Sequence, residues 1–299
     1  MTVHAAVRDS AASLRDATER LDTISLAELA ERASLLTRVD RKYVVPASEL
    51  AAMIEELADH ARVLEIDGEQ HFDYESVYFD TPEAASYLLA AHPRRRRFKA
   101  RTRSYLNSGE CYLEVKTKGA RGTTAKQRLP YNFSERAELT AAGRDYVADA
   151  LADAAVAPIS AARLTPVLTT RYSRTTLFLT ESGSRCTIDS ALTWQRNGVV
   201  AGPDSERSAQ HPHQLRFNDT VIVETKSAGA ASEVDRILWR MGHRPQRISK
   251  FATGLAALRP ELPRNRWTRV LRRHFVPALR AHEASPTAVG VTPEPSLLA

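Results

Sequence analysis

The chain has 299 residues, 43% hydrophobic and 26% charged, which is enough apolar matter to bury a sizeable core. No apolar run approaches the ~20 residues of a membrane-spanning helix, and the N-terminus lacks a secretory leader's apolar stretch. Two cysteines, Cys111 and Cys186, exclude a disulfide framework and a four-cysteine zinc site, so a reducing, cytoplasmic setting is expected.

The formal net charge is +6, and its distribution says more than its size. Residues 94–128 hold 12 basic side chains and only two acidic ones, Glu110 and Glu114, while the remainder carries 30 basic against 34 acidic. Positive charge this local points to a site for a polyanion.

In chain order, the spacing of Leu14, Leu21, Ile24, Leu26, Leu29 and Leu36 predicts helix over residues 13–36. A second short helix follows Pro46, with Ser48 as its cap and Leu50, Met53, Ile54 and Leu57 on one face. From His71 the texture turns to short aromatic and β-branched runs. Strands are predicted at 76–80, 97–105, 111–117, 126–131, 164–171, 175–179, 184–190 and 220–225, with Asn107-Ser108-Gly109 as a hairpin turn. Helices are predicted at 135–155, 231–241 and 267–282, the last basic and containing Pro277. Residues 197–212 read as a polar loop, and the Pro/Ser/Thr-rich tail reads as disordered. Strands in the middle with helices around them indicate α+β.

Charge alternates along the strands. In the run 97–105, Arg97, Lys99, Arg101 and Arg103 share one face, opposite Phe98 and Ala100. Glu114, Lys116 and Lys118 repeat the device, as do Lys126 and Arg128. The apolar run ending in Glu224-Thr225-Lys226 closes the series. Strands with one apolar and one charged face suit a barrel wrapped in helices around a charged lumen. Arg and Lys there match a chain of phosphates, and a few carboxylates match a hard divalent cation such as Mg²⁺ or Mn²⁺.

Six motifs occur in order: Thr37-Arg38-Val39-Asp40-Arg41-Lys42-Tyr43, Tyr78-Phe79-Asp80-Thr81, the strand 97–105, Leu113-Glu114-Val115-Lys116-Thr117-Lys118, Glu224-Thr225-Lys226-Ser227 and Ser249-Lys250-Phe251. Together they resemble the VTC (vacuolar transporter chaperone) domain of polyphosphate polymerases, within the triphosphate tunnel metalloenzyme superfamily that also holds the CYTH triphosphatases. The resemblance covers residues 35–258. It implies a helical segment at 1–34, a tunnel domain at 35–258, and a basic helix with a tail at 259–299.

The implied fold is an eight-stranded antiparallel β-barrel tunnel with flanking helices. The implied activity is transfer of the ATP γ-phosphate to a growing polyphosphate chain with release of ADP, dependent on a divalent metal. By motif, Arg101, Arg103, Lys116, Arg171 and Lys226 would be catalytic. Lys42, Arg97, Lys99, Lys118, Lys126, Arg128 and Lys250 would bind phosphates, and Glu224, Glu114 and Asp189 would hold Mn²⁺ or Mg²⁺. Arg174 would face opposite to Arg171 on a strand. CYTH triphosphatases resemble one another in a Glu-x-Glu-x-Lys strand, which here reads Arg38-Val39-Asp40-Arg41-Lys42. Fewer carboxylates favour retention of a long phosphate chain over hydrolysis, although Asp40 remains available as a ligand.

Tyr78 and Phe79 read as core aromatics, and Asp80 as a helix cap. His211-Pro212-His213 lacks the further ligands of a metal site. Arg94, Arg95 and Arg96 would rim the tunnel mouth. No P-loop or Rossmann fingerprint occurs. The competing readings are a tunnel triphosphatase and a non-catalytic polyanion-binding module. For RNA, Phe98 lies on the wrong face and the carboxylates would repel, so no nucleic-acid partner is expected. The basic C-terminal helix suits docking on the barrel; the alternative is contact with an anionic membrane surface or a membrane-protein partner at the inner face.

Overall fold

The computed structural model describes residues 14–33, 39–118, 124–156, 159–198 and 213–283. Its strands in chain order are β1 (Asp22–Ile24), β2 (Val39–Pro46), β3 (Ala61–Leu64), β4 (Phe72–Asp80), β5 (Arg97–Tyr105), β6 (Glu110–Lys118), β7 (Thr124–Pro130), β8 (Thr165–Leu179), β9 (Ser184–Arg196), β10 (Gln214–Arg216) and β11 (Thr220–Ser227). Eight of them form one antiparallel path, β2–β11–β9–β8–β4–β5–β6–β7. β10 adds to β9, and β3 joins β8 while pairing in parallel with β1. The protein is α+β, as expected. Its wall is not closed by hydrogen bonds, because among the described residues β2 and β7 do not pair. The sheet curls instead, and side chains from both its ends line one cavity.

Alternation sets the two faces of this wall. Along β5, Phe98, Ala100, Thr102 and Ser104 are buried, while the four cations between them are only half-buried. The outward residues Phe98, Ala100, Leu113 and Val115 pack under the helix Ala141–Asp153, through Val147, Ala150 and Leu151. A second core lies outside β2, β9 and β11, under the helices Leu50–Glu55 and Glu233–Arg240. A third lies under the helices Ala85–Ala91 and Lys250–Leu258, with Trp194 at its centre. Helices thus jacket the outside and leave the polar face to the interior.

Several expectations change. The run 13–36 is not one helix: β1 interrupts it by pairing with β3, and Ser25 then caps the helix Leu26–Arg32 by accepting from the Glu28 N–H at 3.2 Å. The expected strands 164–171 and 175–179 are one long strand, Thr165–Leu179, and β9 runs on to Arg196. The helix expected from residue 135 begins at Ala141, where Thr140 accepts from the Gly143 N–H. Near the C-terminus, Thr268–Val270, the π-turn Leu271–Phe275 and Val276–Glu283 run on as one irregular helix. Pro277 lacks the N–H an α-helix needs there, and the turn before it widens. Phe275 packs against Trp194 and Phe217, so this helix docks on the barrel and buries its apolar face there. The expected loop 197–212, including His211, lies for the most part outside the described residues, as do Leu36, Thr37, Arg38 and the tail.

The helix Lys250–Leu258 crosses Trp194 at Gly254, where a Cβ would stand 2.1 Å from the indole Cδ1. The indole Nε1 donates to the Lys250 carbonyl at 2.8 Å, which fixes the same helix lengthwise. Gly254→Ala would gain roughly 0.5–1 kcal/mol of helix propensity, whereas overpacking costs about 1–3 kcal/mol. The expected outcome in denaturant unfolding is a net loss of stability, with the Lys250 end of the helix displaced.

Candidate functional site

The inward faces of β2, β4, β5, β6, β7, β8 and β11 line a chamber of about 210 Å³. Nine basic side chains meet three carboxylates there. Lys42 and Asp40 come from β2, Lys99, Arg101 and Arg103 from β5, and Glu114 and Lys116 from β6. Lys126 comes from β7, Arg174 from β8, Glu224 and Lys226 from β11, and Lys250 from the helix N-terminus capped by Ser249. The chamber opens into a vestibule of about 650 Å³ that shares Asp40, Lys42, Lys99, Lys116 and Ser249, and adds Arg97 and Lys118.

Strand register pairs the charges. Arg101 lies across from Glu114 and donates to its Oε2 from Nε at 2.9 Å and from Nη2 at 2.6 Å. Lys126 takes the other oxygen, Oε1, at 2.6 Å. Glu224 lies across from Lys42, 3.3 Å away, and stands 3.9 Å from Lys226. Asp189, fully buried, receives Arg174 through two hydrogen bonds of 2.6 and 2.9 Å and also pairs with Lys250. Glu224 and Asp189 therefore hold two cations each, while Glu114 holds Arg101 and Lys126 closely and Arg103 at 4.0 Å. Lys99 and Lys116 are left in excess, and Arg103 is only loosely held. Lys99 donates to the Ser249 hydroxyl at 3.3 Å and lies over the Tyr78 and Phe251 rings, 5.8 and 5.5 Å from their centroids. Arg103 donates to the Tyr172 hydroxyl at 3.3 Å, while its Nε is buried without a hydrogen-bond partner, 4.0 Å from Glu114.

The crowding shows in the proton affinities. Burial, with Arg101, Lys42 and Lys116 nearby, pushes the Lys99 ammonium down to about 8. Burial does the same to Lys226, with Arg185 and Arg174 adding to it and Glu224 offsetting it only in part, again to about 8. Burial would push Glu114 and Glu224 up, but the surrounding cations outweigh it and hold both near 2. Burial would likewise raise the Tyr78 phenol, yet Arg101, Lys99 and Arg103 bring it to about 8.

Some expected residues stand elsewhere. Arg171 faces the outside of β8, where it and Arg136 hold the buried Glu75. The alternation that turns Tyr172 inward brings Arg174, not Arg171, into the chamber. Arg128 stacks on the Tyr112 ring, 5.0 Å from its centroid, and does not line the chamber. Tyr78 is a core aromatic that stacks on Phe251, but its hydroxyl also accepts from Arg101 at 3.1 Å. Alternation against Val77 and Phe79 could have found it. Asp80 caps backbone N–H groups of Ser86 and Tyr87, as expected. The missed contributors are Tyr78, Tyr172 and Ser249.

For a divalent cation, Glu114 and Asp189 have both oxygens committed to cations. Glu224 is more loosely held and faces the chamber, with Asp40 on the neighbouring strand. Among the described residues no group of three His, Cys, Asp or Glu side chains converges on one point. This donor set fits a hard cation that keeps most of its coordination for water and phosphate oxygens, as Mg²⁺ does.

The VTC domain family model matches residues 37–259. The chain belongs to the VTC domain family. No curated protein matches it. Among solved structures, it is similar to the putative adenylyl cyclase HpAC1 from Hippeastrum, which has a dominant triphosphatase activity: 14% identity, 73% of this chain and 95% of that one, TM-score 0.43. It is also similar to a putative adenylate cyclase from Bacillus halodurans, at 14% identity over 69% of this chain and 87% of that one, TM-score 0.39. The PH1819 protein from Pyrococcus horikoshii gives 13% identity over 71% and 91%, TM-score 0.37. Family membership rests on the sequence match. No described helix of this VTC domain protein is long and apolar enough to cross a membrane.

A bound polyanion would supply the missing negative charge and raise the depressed lysines, Lys99, Lys116 and Lys226. Side-chain NMR of labelled lysines, assigned with Lys99→Met and Lys226→Met, should find two titrating near 8 without ligand. Tripolyphosphate should move both toward the ordinary ~10.4, so its affinity falls as pH rises through 8. Ordinary titration without ligand would contradict the charge imbalance.

Proposed function

We propose that this VTC domain protein is a polyphosphate polymerase. It transfers the γ-phosphoryl group of ATP to the end of an inorganic polyphosphate chain held in the tunnel and releases ADP. The observation that carries this reading is the chamber's nine cations against three carboxylates, on strands whose outer faces are locked under helices. Such a lumen is costly to bury without anions, and phosphates match it in charge and in the bidentate geometry that an arginine such as Arg103 offers.

In the reaction, a terminal oxygen of the polyphosphate chain forms a bond to the γ-phosphorus. The bond from that phosphorus to the β–γ bridging oxygen breaks, and ADP leaves with the electron pair. The acceptor is already an oxyanion, so no strong general base is needed. The chamber agrees with that: Glu114 is saturated by Arg101 and Lys126, and Glu224 is held ionised near 2, too weak a base to activate water. The fixed cations orient donor and acceptor and stabilise charge spreading over the transferred group. Glu224 and Asp40 would hold the divalent cation, which would neutralise phosphate charge. From Arg97 in the vestibule to Arg103 inside, β5 presents a cationic row roughly 20 Å long, longer than one triphosphate group. That length supports a polymeric substrate over a free triphosphate.

The test is to incubate the protein with ATP and Mn²⁺ or Mg²⁺ and resolve products by gel and phosphorus NMR. ADP and a ladder of polyphosphate are expected, with Arg101→Ala slowed about 100-fold and Glu224→Gln inactive. Free phosphate without polymer would make the protein a tunnel triphosphatase. Tight polyphosphate binding without either product would make it a polyanion-binding module.

A further inference from the structure

Outside the tunnel, a second cleft of about 780 Å³ runs between the loop 241–247 and the C-terminal helix. Arg244, Arg247, Arg266, Arg269 and Arg273 line it. The one carboxylate among its described lining residues, Glu49, is taken by His243 at 2.7 Å. Arg244 is braced by the carbonyls of Trp239 and His243, and Arg266 by that of Ala90. Arg247, Arg269 and Arg273 have no carboxylate partner among the described residues.

This cleft is continuous with the vestibule. The two share Gln246, Arg247, Arg266 and the buried Trp267 between them. Burial and the nearness of Arg247 and Arg97 both press on the Arg266 guanidinium, which places an arginine of each cavity beside it. A cationic path therefore leads from the inner chamber past Arg97 and Arg266 to Arg269 and Arg273. The inner chamber mixes Lys with Arg, whereas the cationic lining of the cleft is arginine apart from two histidines, the side chain that grips phosphate oxygens in pairs. Its far wall, from Arg266 to His274, lies beyond the residues 37–259 that match the family model.

We propose that this cleft is a second binding site for the phosphate chain, an outer track that holds polyphosphate as it passes through the vestibule. The inference rests on the polyphosphate reading of the tunnel. A short tripolyphosphate fits within the chamber and does not need the track; a chain of tens of phosphates reaches both. The track then acts on long chains alone, through retention, and so on the length to which product grows.

The experiment uses the full chain with two probes, tripolyphosphate and long-chain polyphosphate, in binding titrations across salt concentrations. Arg269→Ala/Arg273→Ala removes two exposed cleft charges, and Arg20→Ala/Arg32→Ala removes two charges elsewhere as the control for net charge. The cleft variant should bind long chains about tenfold more weakly, with a salt slope shallower by roughly 1 to 2, and bind tripolyphosphate unchanged. Its polymer ladder should be shorter at the same initial rate of ADP release. Long-chain affinity equal to wild type, or a loss matched by the control variant, would overturn the track. If the wild type makes no polymer but the cleft variant still loses long-chain binding selectively, the polymerase reading falls and the track stands.

Discussion

Buried charge in this protein is arranged so that three carboxylates each hold two or three cations, and the chamber's cations still outnumber its carboxylates. Glu114 joins β5 to β7, Glu224 joins β2 to β11, and Asp189 ties β8 and β9 to the helix Lys250–Leu258. These pairs bridge different elements, so they fix the curvature of an open sheet whose ends share no hydrogen bonds among the described residues. Removing Asp189, which is fully buried, would leave Arg174 and Lys250 facing each other, a loss of about 3–5 kcal/mol. Lys99 and Lys116, with the loosely held Arg103, are what the arrangement leaves over, and that surplus marks the candidate site.

The surplus persists because the outer faces of the same strands are fully engaged. The cation-bearing positions on β5 and β6 alternate with buried residues, of which Phe98, Ala100, Leu113 and Val115 pack beneath the helix Ala141–Asp153. A strand cannot rotate its cations out of the lumen without exposing Phe98, Leu113 and Val115 to water, at about 1.5–3 kcal/mol for each large side chain. The fold thus stores like charges at fixed spacing on rigid elements, which is how a site binds a flexible polyanion without reorganising itself at a cost in free energy.

Much of this was legible in the residues. The strict alternation of 97–105 and 111–118 defined two walls of the tunnel, because a period of two needs no tertiary information. The choice between Arg171 and Arg174 was not legible from charge alone. It depended on the inward turn of Tyr172 on β8 and on Asp189 lying across from Arg174, which only register reveals. β1 and β3 are three and four residues long and exist through their pairing, so their local sequence carried no signal. The commitment of Glu114 and Asp189 to cations was hidden for a related reason: a carboxylate among lysines reads equally as a metal ligand or as an ion-pair anchor. The outer cleft was invisible for a different reason, since Arg244, Arg247, Arg266, Arg269 and Arg273 come from two segments that only packing brings together.

The most direct measurement of the charge surplus is thermal unfolding of the full chain with and without long-chain polyphosphate, against sulfate at equal ionic strength. At a hundredfold excess over Kd, binding should stabilise the fold by about 2.7 kcal/mol, a rise in Tm of roughly 5 °C or more. Sulfate should do little, and Lys99→Met/Lys116→Met should lose most of the rise. An unchanged Tm with polyphosphate, or an equal rise with sulfate, would contradict a lumen built around a missing chain of phosphates.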